Sequence, residues 1–384
     1  MIHNLKENCV ILLKKWKAGD LMGMEASVSA MRFGKLKKGE RNLITDVPGV
    51  KVGHFTLHEE ESHTGITCII PGRGDVFHYK CLAASHVING FGKSAGLVQV
   101  DELGTLETPI LLTNTLAVGD AMTGLVKHML DSHADIGRTT STINPIVMEC
   151  NDGFLSDIRA MAVTKEMVPE ALAKVVGGSF EEGGVGAGTG MCCYSLKGGI
   201  GSASRILPLN GKEYVLGTLV LSNFGILEDL VIQGNPVGDQ LFQHYQQSDA
   251  ADPKNKISSD RNDRGSVIVV IATNAPFTTR QLKRLAKRAQ SGLAKTGCIS
   301  GNGSGEIVLA FSNAIRIPHY RQAEPFKITF DYIAEDDLDI AFRSVIDCVE
   351  ESVISSLFHA ESLTGLDGHH VFSLPDALEH FGVN

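Results

Sequence analysis

The sequence predicts a mixed α/β (α+β) domain built in layers, and three observations lead there. Short apolar runs rich in β-branched residues recur along the chain, at lengths that suit strands buried on at least one face. Amphipathic stretches at helical spacing lie between some of them, the mixture expected of a layered architecture. Glycine is abundant, with 41 among 384 residues, so tight turns and close backbone approaches are frequent.

Taken in order, residues 1 to about 38 read as a basic helical extension ending in "GKLKKGERN", docked on the body or on a partner. Its apolar run, Cys9 to Leu13, falls short of the roughly 7 residues at which a secretory core begins, and no small-residue cleavage pattern follows. A single domain is expected from residue 39 to 384, opening with the extended, Pro- and Gly-punctuated "LITDVPGVKVGHFTL". Strands are expected at "TGITCII", "HVING", "PILLTN", "INPIVMEC", "YVLGTLVLSNFG", "SVIVVIATNAP", "EIVLAFSNAI" and "KITFDYI". "TLAVGDAMTGLVKHMLDS" carries apolar residues at helical spacing, and "TTRQLKRLAKRAQSGLAKTG" opens on a Thr cap and stops at Gly297. "DLDIAFRSVIDCVEESVISSLFHA" is the longest amphipathic helix candidate. From His244 to Gly265 the chain has almost nothing to bury. Structureless stretches beyond about 12–15 residues are uncommon in compact domains and tend to be functional, so an exposed loop is expected there.

Composition narrows the function classes. The net charge of −9 argues against nucleic acid, which demands a concentrated basic surface. No apolar run approaches the roughly 18 residues of a membrane span. The eight cysteines are scattered without C-x-x-C spacing, which suits reduced thiols in a cytoplasmic protein better than zinc or redox chemistry.

Several segments invite a site. Gly186, Gly188 and Gly190 are spaced G-x-G-x-G, and glycines at 198, 199 and 201 would break any following helix, so a dinucleotide fingerprint is not expected. In "HEEESH", His58 and His63 are five apart and would swing to different faces of a helix; no metal site is expected there or at His369-His370. At Gly265-Ser266 a polar run gives way at once to "VIVVIA". Ser266 could be an ordinary turn residue entering a strand, or a nucleophile at a processing site; the residues alone leave both open. Ser304 and Glu306, two apart at the start of "EIVLAFS", would share one strand face and could orient a nucleophile. Asn223 closes an apolar run as a possible oxyanion donor, and Glu149 closes another as a buried carboxylate suited to an amine.

Together, "ITDVPGVKVGH", "PILLTNTLAVGDA", "ECNDGFLSDI", "GAGTGMCCYSLKGGIGSASR", "LVLSNFG", "GSVIVVIATNAP" and "GNGSGEIVLAFS" resemble, in order, the DmpA/BapA family of self-processing aminopeptidases. The resemblance covers nearly everything after residue 40. It implies a four-layer αββα sandwich and a chain cut at Gly265-Ser266 into an α part (1–265) and a β part (266–384). It implies Ser266 as N-terminal nucleophile, Asn223 in the oxyanion hole, Ser304 and Glu306 as supports, and Glu149 as receiver of the substrate's amino group. It also implies small peptide, amide or ester substrates, no cofactor, and an assembly of four αβ pairs. Asn151 stands where the family often carries an aromatic residue, so a substrate-binding difference is expected there. An acyltransferase of related fold and an unprocessed binding protein are the competing expectations.

Overall fold

The structure, a computed structural model, describes Val28 and residues 31–248, 265–321 and 327–383. Its strands in chain order are β1 (Lys51–Glu59), β2 (Ser62–Ile70), β3 (Tyr79–Gly90), β4 (Thr105–Leu106), β5 (Ile110–Asn114), β6 (Ile146–Cys150), β7 (Cys192–Cys193), β8 (Leu196–Lys197), β9 (Gly199–Leu209), β10 (Lys212–Asn223), β11 (Ser266–Thr273) and β12 (Gly305–Pro318), followed by a small C-terminal ladder. The helices are α1 (Leu97–Leu103), α2 (Val118–Ser132), α3 (Met167–Ala173), α4 (Val237–Ser248), α5 (Thr279–Ala286), α6 (Ala289–Lys295), α7 (Leu338–Phe358) and α8 (Leu374–Phe381).

Two sheets carry the fold, one ordered β1-β2-β5-β6 and the other β4-β3-β12-β11-β10-β9. Between them lies an apolar core to which Val52, Ile69, Leu112 and Met148 come from the first sheet and Ala83, Leu219, Ile268 and Leu309 from the second. The first sheet turns its other face to α2 and α3, meeting Ala121, Leu125, Val168 and Ala171. The second turns its far face to α5, α6 and α7, meeting Leu282, Leu293, Val345 and Val349. The layers therefore run αββα, as the resemblance implies.

β11 lies inside the second sheet, antiparallel to β10 and parallel to β12, and every one of its residues is buried. Its alternation is apolar on both sides because both faces are covered: Val267, Val269 and Ile271 face helices, while Ile268, Val270 and Ala272 face the other sheet. The glycine-rich segment serves close packing. A Cβ on Gly201 would lie 1.9 Å from the Ser352 carbonyl of α7, whose Ser352 and Ser356 hydroxyls meet Thr218 and Ser222 of β10 at 2.7 and 2.6 Å. Gly186–Gly188 form a single 3₁₀ turn, and a strand follows it.

Four expectations change. "KITFDYI" forms no strand: β12 is already flanked on both sides within its sheet, and only Ile333 of this segment is buried. The helix expected over 278–297 is two, broken at Lys287-Arg288, although Thr278 does cap it, with Gln281 completing the capping box. "HEEESH" is the β1–β2 hairpin, which pairs His58 with His63 across the ladder. The polar run begins later than expected, because α4 carries His244 and Tyr245 into its helix and Tyr245 is buried; residues 249–264 lie outside the described residues.

The helical reading of the N-terminal extension also falls largely outside the described residues. Residues 31–38 are not helical and are tied to the body. The buried Arg205–Glu351 pair, 2.5 Å apart, reaches the Phe33 carbonyl and Asn42.

Candidate active site

Ser266 opens β11, so strand alternation points its hydroxyl the same way as Ile268, into the space between the sheets. Asn223 ends β10 directly opposite Ser266 in an antiparallel register, which puts both side chains on one face. From the other sheet, the segment after β6 meets them. The Asn151 N–H points at Ser266 Oγ at 3.4 Å, and Asn223 Nδ2 donates to the Asn151 carbonyl at 2.9 Å. Asn223 Oδ1 accepts from Cys192 N–H at 2.9 Å, so the amide's orientation is set from both ends.

Lys197 supports that arrangement from beneath. Its buried ammonium donates to the carbonyls of Gly188, Met191 and Gly198 at 3.0, 3.0 and 2.8 Å, gathering the turn that carries Cys192. Burial lowers its pKa to about 8, against the opposing charges of Cys192 and Asp152.

Gly265 precedes the nucleophile candidate. Its carbonyl accepts from Gly305 N–H at 3.1 Å, the residue paired with Ser266 on β12. The residue must be glycine because a Cβ would fall 2.2 Å from the Asn223 carbonyl and 2.4 Å from Phe224 Cα. Its φ is not in the left-handed region, so close approach, not backbone strain, sets the requirement.

Ser304 and Glu306 are fully buried on either side of Gly305. Glu306 pairs with Val267 and faces the helical layer, with Cys298 Sγ 4.0 Å from its Oε1. Its carboxylate therefore leaves the strand on the face opposite the Ser266 hydroxyl. Among the described residues Ser304 Oγ makes no hydrogen bond, and Asn89 Nδ2 holds the loop through the carbonyls of Gly301 and Ser304.

Glu149, at the end of β6, is buried and accepts from Lys93 N–H at 2.7 Å and from the Thr115 hydroxyl. Among the described residues it makes no ion pair. A buried carboxylate so placed is suited to an incoming ammonium. Asn151 itself is exposed, and its side-chain oxygen caps the Gly153 N–H at 2.9 Å. Its backbone, not its side chain, serves the Ser266 face.

Sequence reading overlooked Lys197 and Asp152. Lys197 could have been noticed as a lone cation among glycines and apolar residues, whereas Asp152 in "ECNDG" looks like any turn aspartate. Asp152 is fully buried and neither carboxylate oxygen reaches good hydrogen-bonding geometry. Burial pushes its pKa up to about 7; Thr64 and Asn114 pull it back and Glu149 adds to the rise. Such a carboxyl contributes most to stability below its unfolded value of 3.8, and the contribution is lost as pH rises through 7. The shift corresponds to roughly 4 kcal/mol. Asp152→Asn is thus expected to raise Tm over the unsubstituted chain at mildly alkaline pH and to lose that advantage near the carboxylate range. A gain in thermal unfolding that is the same at both pH values would show the carboxyl to be unperturbed.

The sequence profile described as Peptidase family S58 matches residues 42–371. Beta-peptidyl aminopeptidase BapA of Sphingosinicella microcystinivorans is 35% identical over 400 residues, spanning 98% of this chain and 96% of its own length. Among solved structures, the PH0078 protein of Pyrococcus horikoshii OT3 is 45% identical with a TM-score of 0.83, covering 92% of this chain and 96% of its own. The L-aminopeptidase D-Ala-esterase/amidase of Ochrobactrum anthropi, a variant of the Ntn hydrolase fold, is 33% identical with a TM-score of 0.80, covering 93% and 98%.

Proposed function

The chain belongs to peptidase family S58, and from that premise we propose that it is a self-processing aminopeptidase whose Ser266 cuts the Gly265–Ser266 bond and then serves as nucleophile. One observation carries the assignment of the nucleophile. Ser266 begins a wholly buried central strand, faces Asn223 and the Asn151 N–H, and follows a carbonyl already held by a backbone donor.

In the first step Ser266 Oγ adds to the Gly265 carbonyl carbon, and the Gly305 N–H receives the developing charge on its oxygen. The C–N bond breaks, the Gly265 acyl group passes to Oγ as an ester, and the hydroxyl proton passes to the Ser266 nitrogen, which leaves as an amine. Water then hydrolyses the ester. The freed α-amine, with a pKa of about 7.7–8.0, becomes a base that the amide could not be. Ser304 and Glu306 flank the residue paired with Ser266, and because Glu306 leaves on the helical face they act on the amine and its main chain, not on the hydroxyl. During turnover the Asn151 N–H and Asn223 Nδ2 receive the substrate oxyanion, the amide using its second hydrogen while the first stays on the Asn151 carbonyl. Glu149 takes the substrate's ammonium.

Peptides and amides are the substrate class, with a free amino group required in this reading. The name of the BapA relative puts β-aminoacyl peptides first among those to try. An assembly of four αβ pairs and a cytoplasmic location belong to the same proposal; the buried thiols of Cys68, Cys81, Cys150 and Cys348 suit a reducing compartment. Among the described residues no helix is long and apolar enough to cross a membrane.

Intact-mass measurement and N-terminal sequencing test the reading. Two fragments are expected, the smaller beginning Ser-Val-Ile-Val-Val; an active enzyme that is still a single uncut chain would overturn it.

A further inference from the structure

Away from this site, two histidines and an aspartate converge at the surface. Asp75 and His78 lie between β2 and β3, and His133 is the residue that ends α2. Asp75 Oδ2 meets His78 Nδ1 at 2.5 Å and Asp75 Oδ1 meets His133 Nε2 at 3.1 Å. The three candidate ligand atoms lie within 4.8 Å of one another.

The outer nitrogen of each imidazole is already committed. His78 Nε2 meets Asp135 Oδ2 at 2.9 Å, and His133 Nδ1 meets the Met129 carbonyl at 3.0 Å. Carboxylates and carbonyls only accept, so each outer nitrogen carries its hydrogen there. The inner nitrogens, if the rings are neutral, then present lone pairs toward the carboxylate of Asp75. Lone pair against carboxylate repels unless something positive sits between them. Two protons can do this, and so can one divalent cation, with no change in net charge. A carboxylate or carbonyl behind each histidine is also how metal-binding imidazoles are oriented.

We propose that Asp75, His78 and His133 bind one zinc-type divalent cation, with Asp135 and the Met129 carbonyl orienting the two histidines. Two imidazoles and a carboxylate, with water in the remaining position, suit a tetrahedral first-row ion better than calcium or magnesium. The ligand side chains are between 13% and 34% exposed, so an ion can reach them from solvent. The role is structural. Asp135 also accepts from the Tyr320 hydroxyl, and Phe77 packs on His319 at 4.6 Å. The ion would thus tie the loop before β3 and the turn after α2 to residues that follow the cleavage point. Asp75 and His133 stand 58 residues apart in no recognisable motif, which is why the sequence gives no sign of the site.

The test uses the whole enzyme, stripped with a chelator and titrated with zinc chloride and, for its visible spectrum, cobalt chloride. One equivalent of zinc should survive desalting, cobalt should show tetrahedral absorption bands, and zinc should raise Tm. Asp75→Asn and His133→Gln should each abolish all three effects, and Asp135→Asn should weaken binding roughly 10–100-fold. Peptidase activity should persist in all three variants, because none of these residues touches the Ser266 site. Failure of the unsubstituted enzyme to retain zinc, or equal retention by Asp75→Asn and His133→Gln, would overturn the site. Unchanged affinity in Asp135→Asn would overturn its orienting role.

Discussion

Replacing Ser266 by alanine is expected to leave a folded, uncut and inactive chain. The fold should survive because the substitution removes one oxygen from a residue that otherwise stays buried in a complete ladder. The Asn151 N–H loses a long 3.4 Å contact, a loss of about 1 kcal/mol at most for a bond of that geometry. Chemistry, by contrast, has no substitute. The same hydroxyl opens the Gly265–Ser266 bond and accepts the acyl group in turnover, so both activities vanish together. Ser266→Cys keeps a nucleophilic atom in place and should retain some self-cleavage. A denaturing gel and an aminoacyl p-nitroanilide assay read the two activities separately. Retained peptidase activity in Ser266→Ala would remove the residue from the mechanism.

Loss of the charge on Glu149 should have the next largest effect. Its carboxylate is buried, held by Lys93 N–H and the Thr115 hydroxyl, and makes no ion pair among the described residues. A substrate ammonium would complete it. Removing one partner of such a pair typically costs about 3–5 kcal/mol, so Glu149→Gln should lower kcat/KM on free-amine substrates by roughly 10²–10⁴-fold. Glutamine keeps the shape and one acceptor oxygen, so the segment should stay folded. Self-cleavage should be nearly unchanged, because no substrate ammonium takes part in it. The complementary measurement compares aminoacyl and N-acetyl-aminoacyl p-nitroanilides on the unsubstituted enzyme. Equal rates on the two would sink the aminopeptidase reading of this carboxylate and favour an amidase.

The residues that open and close the apolar runs were the legible part of the site. Ser266, Asn223 and Glu149 each stand where an apolar segment starts or stops, and a polar side chain there is visible without coordinates. Most strand positions were legible for the same reason. β9 was not, because glycines and serines crowd its first half, and "KITFDYI" has a composition that suits a strand but meets no free sheet edge. What hid Asp152 and Lys197 is that burial is not written in residue type. A turn aspartate and a lysine beside glycines become unusual only when surrounding elements exclude water from them.

The sequence by itself determined the mixed α/β class, the strand at Ser266 and the glycine before it, because period, β-branching and a sharp change of polarity are local properties of a chain. The tertiary structure alone decided which of these residues meet. Register across β10 and β11 sets Asn223 opposite Ser266, packing of the two sheets against each other brings the Asn151 N–H to its hydroxyl, and strand alternation turns Glu306 away to the helical side. The long sequence separations behind such meetings, 115 residues between Asn151 and Ser266, cannot be read from spacing, and a one-residue slip in register would send every side chain to the opposite face.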